Sequence, residues 1–347
     1  MNNLIKHVEA GDELHSREVE VAATMLLDES ISDEKKAQFL RALTAKGETA
    51  AEIASFVECF LERAVDPGTG NMKFDGPTID VCGTGGDKLN LFNVSTISMF
   101  VIAAGGATVV KHGNRGITSK SGGADVLESL GINLEVSPEV FRHCLTEAGV
   151  GFLFAPLYHP AFKAVAGVRG MLAKEGIRTI FNLVGPLLNP ARPECQLVGV
   201  CDPELDSVFA EILQRLGRDS AWVVHGTTAD GSPVDEVSLL GATRICKSGS
   251  YQSIVDEEVM PQDFGFDCCS IADLEGGGAE VNARILTDIL SAKELGPRRE
   301  MVLLNAGAGL ACAGLTDSMG DGVRFAAELI DSGKALERLH KLQSVAK

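Results

Sequence analysis

Positive charge is in short supply in this sequence. Its 347 residues carry 31 Lys and Arg against 48 Asp and Glu, a formal net charge of −17. Such a chain repels nucleic acid and anionic membrane at long range. It also repels any phosphorylated ligand unless cations are concentrated locally, so a local basic cluster carries unusual information here. Long apolar runs are missing too: none approaches the roughly 20 residues that a membrane-crossing helix needs. The polar opening from Asn2 to Leu14 predicts no secretory signal. The nine cysteines form no CxxC pair, and Cys268 and Cys269 are adjacent, which is poor geometry for chelation. Reduced thiols in a cytoplasmic protein are the expectation. No repeat and no low-complexity tract is found.

What is present suffices for a large core, with 45% hydrophobic and 23% charged residues. The first segment reads as helices. Ser16 stands as a cap before a stripe at Val19, Ala22, Ala23 and Leu26. Thr49 and Glu52 have capping-box spacing ahead of Ile53, Phe56, Val57, Phe60 and Leu61. Turn residues Asp66, Pro67, Gly68 and Gly70 close this region. Beyond them, strand-like runs at Thr78–Val81, Thr108–Val110, Leu197–Cys201 and Trp222–His225 alternate with helical stretches such as Ala124–Leu130 and Pro203–Leu216. The pattern predicts a small N-terminal all-α domain (1–69) in front of a large α/β domain (70–347) with a central, mostly parallel sheet.

Glycine, at 38 residues, clusters in informative places. Asp80 to Asp87 (DVCGTGGD) follows a strand, and Gly83, Gly85 and Gly86 let backbone N–H groups face one concavity. Asn93, Ser95 and Thr96 then open an apolar helix, Ile97 to Ala104, whose N-terminus is suited to an anion. Alone, such a turn serves a tight connection equally well, and it is neither a Walker loop nor a Rossmann fingerprint. The second loop adds weight. Lys111 to Arg115 (KHGNR) is expected to follow a strand, with Ser119, Lys120, Ser121, Gly122 and Gly123 close behind, so that three cations reverse the local sign. Two such loops on neighbouring strands should converge at the carboxyl edge of the sheet. Farther on, Asp230, Asp235 and Glu236 occupy a loop after a strand. Both carboxylates of the last pair can reach one cation, and magnesium, which takes few carboxylates with phosphate oxygens and water, suits them. Ser95 could add a hydroxyl. A solvent-facing acidic pair remains the alternative.

GTGGD, Asn93 to Thr96 (NVST), KHGNR and SGGAD ending at Asp125 together resemble the anthranilate phosphoribosyltransferases. So do YHPA from Tyr158, GIRTIFN from Gly176 to Asn182, Gly185-Pro186, Asn189-Pro190, Asp235-Glu236 and Leu304 to Ala306. The resemblance implies a homodimer, with a helical segment near 160–178 joining the small domain and a cleft between the domains. It implies that phosphoribosyl pyrophosphate lies against Gly83, Gly86, Asp87, Asn93, Ser95, Thr96, Lys111 and Ser119, with Val94, Gly113, Arg115 and Gly123 among the substrate-binding residues. Magnesium would meet Ser95, Asp235 and Glu236. Asn114 and Arg169 would receive anthranilate, with His112 and His159 lining its route and no obligatory base among them. Three departures stand out: Lys88 and Leu91 where the family usually has glycine and a hydroxyl residue, and a few extra residues around 171–175. A pyrimidine nucleoside phosphorylase of the same fold would leave Asp235, Glu236 and Arg169 without a role. A noncatalytic nucleic-acid-binding relative would need a basic groove that a net charge of −17 does not supply.

Overall fold

A computed structural model of the chain describes residues 1–116, 120–249 and 253–347. Four helices open it: α1 (Asn2–Glu9), α2 (Ser16–Leu26), α3 (Asp33–Lys46) and α4 (Ala50–Leu61). The capping box at α4 forms as expected, with Thr49 N donating to Glu52 Oε2 at 2.9 Å and Glu52 N to Thr49 Oγ1 at 3.2 Å. Glu52 does more than cap. It is buried, and it also accepts from Leu14 N and from the Lys46 ammonium, each at 2.8 Å. Ser16 does not cap α2. It is the first helical residue, and His15 takes the cap position, its N–H donating to Glu18 at 3.0 Å.

The second body is built on a sheet. Eight strands lie among the described residues: β1 (Thr78–Gly83), β2 (Thr108–Gly113), β3 (Val150–Phe154), β4 (Cys195–Gly199), β5 (Ser220–Thr227), β6 (Pro233–Val234), β7 (Thr243–Ser248) and β8 (Val255–Val259). Their order is β3-β2-β1-β4-β5-β7-β8, with β6 against the end of β5. The pairs from β3 to β5 are parallel, and β6, β7 and β8 are antiparallel additions. The four strands expected from sequence exist, although Cys201 falls beyond β4. The stretch from Lys111 to Gly113, expected as loop, continues β2, because the parallel ladder with β3 runs on through His112 and Gly113.

Connecting helices cover both faces. They are α5 (Val94–Ala104), α6 (Gly123–Ser129), α7 (Pro138–Ala148), the short α8 (Ala155–Tyr158), α9 (Ala166–Lys174), the short α10 (Ile180–Leu183) and α11 (Leu205–Arg215). At the C-terminal end come α12 (Ala279–Leu290), α13 (Pro297–Cys312), α14 (Met319–Asp331) and α15 (Lys334–Val345). One core joins Ile79, Val81 and Val109 to α5 and α12–α15. A second begins in the bundle, passes through Val165, Val168, Leu172 and Phe181, and ends on the opposite face of the sheet at Val198, Val223 and Phe209 of α11. The bundle is therefore continuous in packing with the back of the sheet, and α9 contributes Val168 and Leu172 to its core.

Candidate active site

The parallel strands reverse direction of winding between β1 and β4, and such switch points leave a crevice outside the carboxyl ends of the strands. Here Gly83 at the end of β1 is paired with Gly199 at the end of β4. The turn from β5 through β6 lays Asp235 across both. A Cβ on Gly83 would strike the Asp235 carboxylate, and one on Gly199 would strike its backbone oxygen. Glycine is needed at both positions for close approach rather than for backbone freedom. Gly85 N–H in the glycine turn donates to Asp235 Oδ2 at 2.7 Å. Glu236 accepts from Ser95 N–H at the start of α5 at 3.3 Å. Both carboxylates thus meet the glycine turn and the helix N-terminus, 150 and 141 residues away in sequence.

Lys111 supplies the nearest cation. Buried in β2, it donates to Ser95 Oγ at 3.2 Å and to the carbonyl of Val81. It does not balance the acids. Desolvation, then the charge of Asp87, pushes Asp235 up to about 6. Burial, then Asp235, pushes Glu236 up as well, with Lys111 opposing. Burial raises Asp87 also. Partly covered, repelling carboxylates are an arrangement that a divalent cation relieves. Among the described residues no group of three or more His, Cys, Asp or Glu could hold a metal by itself. A pair of carboxylates with one hydroxyl fits a hard cation that keeps water and completes its shell with ligand oxygens.

The two loops meet. Asn93 Nδ2 donates to the Ser121 carbonyl at 3.2 Å, while its Oδ1 accepts from Asn282 of α12 at 2.7 Å. Thr96 is buried, and its hydroxyl stands 2.7 Å from where a Cβ on Gly123 would be; Val94 is buried beside it. Gly113 faces the Phe152 ring. Asp125 Oδ2 accepts from Gly116 N at 2.8 Å and Gly122 N at 2.7 Å, folding the loop back on α6.

The expected cluster of three cations does not exist as such. Lys111 lies under the strand ends, not in the loop. Arg115 is held by Glu128 at 2.6 Å and Glu135 at 3.3 Å, with its guanidinium 4.4 Å from the centre of the Phe154 ring. Lys120 pairs with Glu275 at 3.4 Å. Ser119 lies outside the described residues. Asn114 is exposed, its Oδ1 accepting from Arg115 N at 2.8 Å.

A second group of residues sits toward the bundle. His112 of β2 and His159 after α8 are buried and meet edge to face, ring centres 5.2 Å apart. Desolvation, then His159 and Lys111, brings His112 down to about 3. Burial lowers His159 too, and its Nε2–H donates to the Leu188 carbonyl at 2.8 Å. Both rings are therefore neutral near pH 7. His112 Nε2 has no partner among the described residues. His159 also leans on Phe162, which joins Phe60 and Phe181 in an aromatic cluster. Arg169 projects from α9 with its guanidinium 5.9 Å from the Phe181 ring centre and no ion-pair partner among the described residues. An exposed guanidinium with no ion pair among the described residues is a ready carboxylate receptor.

Residues named in sequence only as parts of motifs, with no role given, also shape the site. Asp80 is buried in β1, accepting from His112 N at 3.2 Å and Asn189 Nδ2 at 2.8 Å. A lone carboxylate in an apolar strand just before the glycine turn was a readable sign of this. The pairing of strand-end glycines with Asp235 left no local sign, because the partners lie far apart in sequence.

Comparison with known proteins agrees with this fold. The model of the glycosyl transferase family, a/b domain, matches residues 75–336, and that of the same family's helical bundle domain matches 2–64. The anthranilate phosphoribosyltransferase of Syntrophomonas wolfei is 43% identical over 345 residues, covering 99% of this chain and 97% of its own length. The crystal structure of anthranilate phosphoribosyltransferase from Thermus thermophilus superposes with a TM-score of 0.88 at 38% identity, 99% of each chain being covered. The enzyme from Saccharomyces cerevisiae in complex with PRPP and Mg gives a TM-score of 0.84 at 25% identity, over 99% of this chain and 98% of that one.

Proposed function

The chain belongs to the anthranilate phosphoribosyltransferases of the glycosyl transferase family, and from that membership we infer that it moves the phosphoribosyl group of phosphoribosyl pyrophosphate onto anthranilate. The products are N-(5-phosphoribosyl)anthranilate and pyrophosphate, a step of tryptophan biosynthesis. The observation that carries the reading is the Asp235–Glu236 step, laid across two strand-end glycines and in contact with both the glycine turn and Ser95.

Magnesium, the cofactor, would supply positive charge against the diphosphate and the departing pyrophosphate. Asp235 and Glu236 would hold it, with Ser95 beside them. Backbone N–H groups of the glycine turn and of the α5 N-terminus, together with Lys111, orient the phosphates where negative charge grows. Gly83, Gly86, Asp87, Asn93 and Thr96 shape that cradle, Asn93 by pinning the two loops together. Arg169 and Asn114 receive anthranilate, Arg169 through its planar fork. In the reaction the anomeric C–O bond breaks, the anthranilate nitrogen bonds to that carbon, and the nitrogen then releases a proton. The aromatic amine is neutral at pH 7, so positioning carries the rate more than a base does. Neutral, desolvated His112 and His159 suit the wall of the anthranilate route. Residues 1–69 and 70–347 form the two working units, with 160–178 carried on the bundle side. A homodimer and a cytoplasmic setting belong to this reading on the strength of the family resemblance. No helix among the described residues is long and apolar enough to cross a membrane.

The test follows loss of anthranilate fluorescence with phosphoribosyl pyrophosphate and magnesium. Asp235→Asn should lower kcat by more than about 100-fold. Arg169→Ala should raise the KM for anthranilate by about 10-fold or more while leaving that for the diphosphate nearly unchanged. Full activity in both variants would overturn these roles. Release of thymine from thymidine and inorganic phosphate would point to a nucleoside phosphorylase instead.

A further inference from the structure

We propose that α3 of the bundle is the positioning element for Arg169, gripping the helix that carries it at both ends, with Lys36 as the principal contact. The inference rests on the functional reading above. Lys36 is a lysine only 1% exposed, an expensive placement for an ammonium group unless it has a polar partner. Its Nζ donates to the carbonyl of Ala164 at 2.7 Å, on the turn that leads directly into α9. At the other end of α9, Arg41 of α3 makes a two-pronged pair with Glu175, at 3.0 and 2.6 Å. Thr44 Oγ1 adds a bond to the Arg178 carbonyl at 3.2 Å. Between these ends the helices press close: a Cβ on Gly167 would collide with the Asp33 carboxylate.

Arg169 lies between the two grips and makes no ion pair of its own among the described residues. The nearby Phe181 ring is the contact that bears on the direction of its side chain. Its aim is therefore set by where α9 sits, and α9 is located by α3. A ligand carboxylate that needs a bidentate fork is sensitive to shifts of about 1 Å in that aim. Among the described residues no hydrogen bond or ion pair runs from α3 to the phosphate cradle of β1, α5 and Asp235, so the cradle should not feel the change. Lys36 and Arg41 thus act on recognition of the aromatic acid from outside the cleft.

The experiment measures both KM values in the full chain for Lys36→Met and Arg41→Gln. Lys36→Met should raise the anthranilate KM about 10-fold and Arg41→Gln about 3-fold, with the KM for phosphoribosyl pyrophosphate moving less than about 2-fold in each. A purely structural role would lower kcat or shift both KM values together. That pattern, or an unmoved anthranilate KM, overturns the proposal. If Lys36→Met does not fold by circular dichroism, the half-exposed Arg41→Gln decides by the same criterion. Absence of anthranilate turnover in the unaltered protein is a different result, and sinks the functional reading itself.

Discussion

Asp235, Glu236 and Asp87 keep like charges close together at the cleft, and protons and metal should therefore compete there. Asp235 is raised from the ordinary aspartate range to about 6, first by desolvation and then by Asp87. A raised carboxylate favours the substrate-free fold below the unfolded value, and that advantage is lost as pH rises through about 6. On the proposed reading, magnesium with pyrophosphate would bind the ionised form and relieve the repulsion. The shift in thermal midpoint caused by the two together should be at least about twofold larger at pH 8 than at pH 5. Equal shifts at both pH values would show that these carboxylates do not take the metal. The cations tell the complementary story. Spacing along the chain counted Lys111, Arg115 and Lys120 as one basic loop, but the acids that hold two of them, Glu128, Glu135 and Glu275, are 13, 20 and 155 residues from their partners. Such pairings are invisible to local pattern. Lys88, by contrast, is explained by the structure: its φ is +59°, a left-handed conformation that glycine adopts freely and a lysine takes at a cost of about 1 kcal/mol. The glycine usual in the family at that position has a backbone reason.

Among the elements, legibility followed side-chain chemistry. β1, β2, β4 and β5 carry β-branched runs buried in the middle of the sheet, and their existence could be read directly. β3 (VGFLF) follows α7 with only Gly149 between and lacks the branched signature. β7 and β8 (TRICKS and VDEEV) are rich in charged and polar residues on the antiparallel flank and read as polar chain. Element ends mattered most for function. Gly199 closes β4 at the one place where the Asp235 backbone crosses it. Gly199→Ala should keep the fold by circular dichroism yet reduce kcat by about 100-fold, since an added methyl must push Asp235 out of reach of Gly85. Retention of more than half the activity would show that the segment adjusts freely.

In the whole molecule, the α/β architecture and the helical front were legible from periodicity, whereas the segment near 160–178 that joins them came from the family resemblance alone. The second core runs from Val19 and Phe56 of the bundle through Leu172 to Phe209 and Val223 behind the sheet, so the two bodies share one apolar interior. Periodicity identifies each amphipathic face without saying which face it meets.

The outer strand β8 offers a last consequence. It lies at the end of the antiparallel flank and carries Asp256, Glu257 and Glu258 in succession, the first two paired with Arg244 at 3.1 Å and Lys247 at 2.6 Å on β7. An unpaired ladder of N–H and C=O groups invites another chain to extend it, and a run of negative charge discourages that meeting. Replacing the three by Asn, Gln and Gln should produce concentration-dependent growth of particle size in light scattering, with the fold otherwise intact. Colloidal solitude, on this view, is written into three side chains with no part in catalysis.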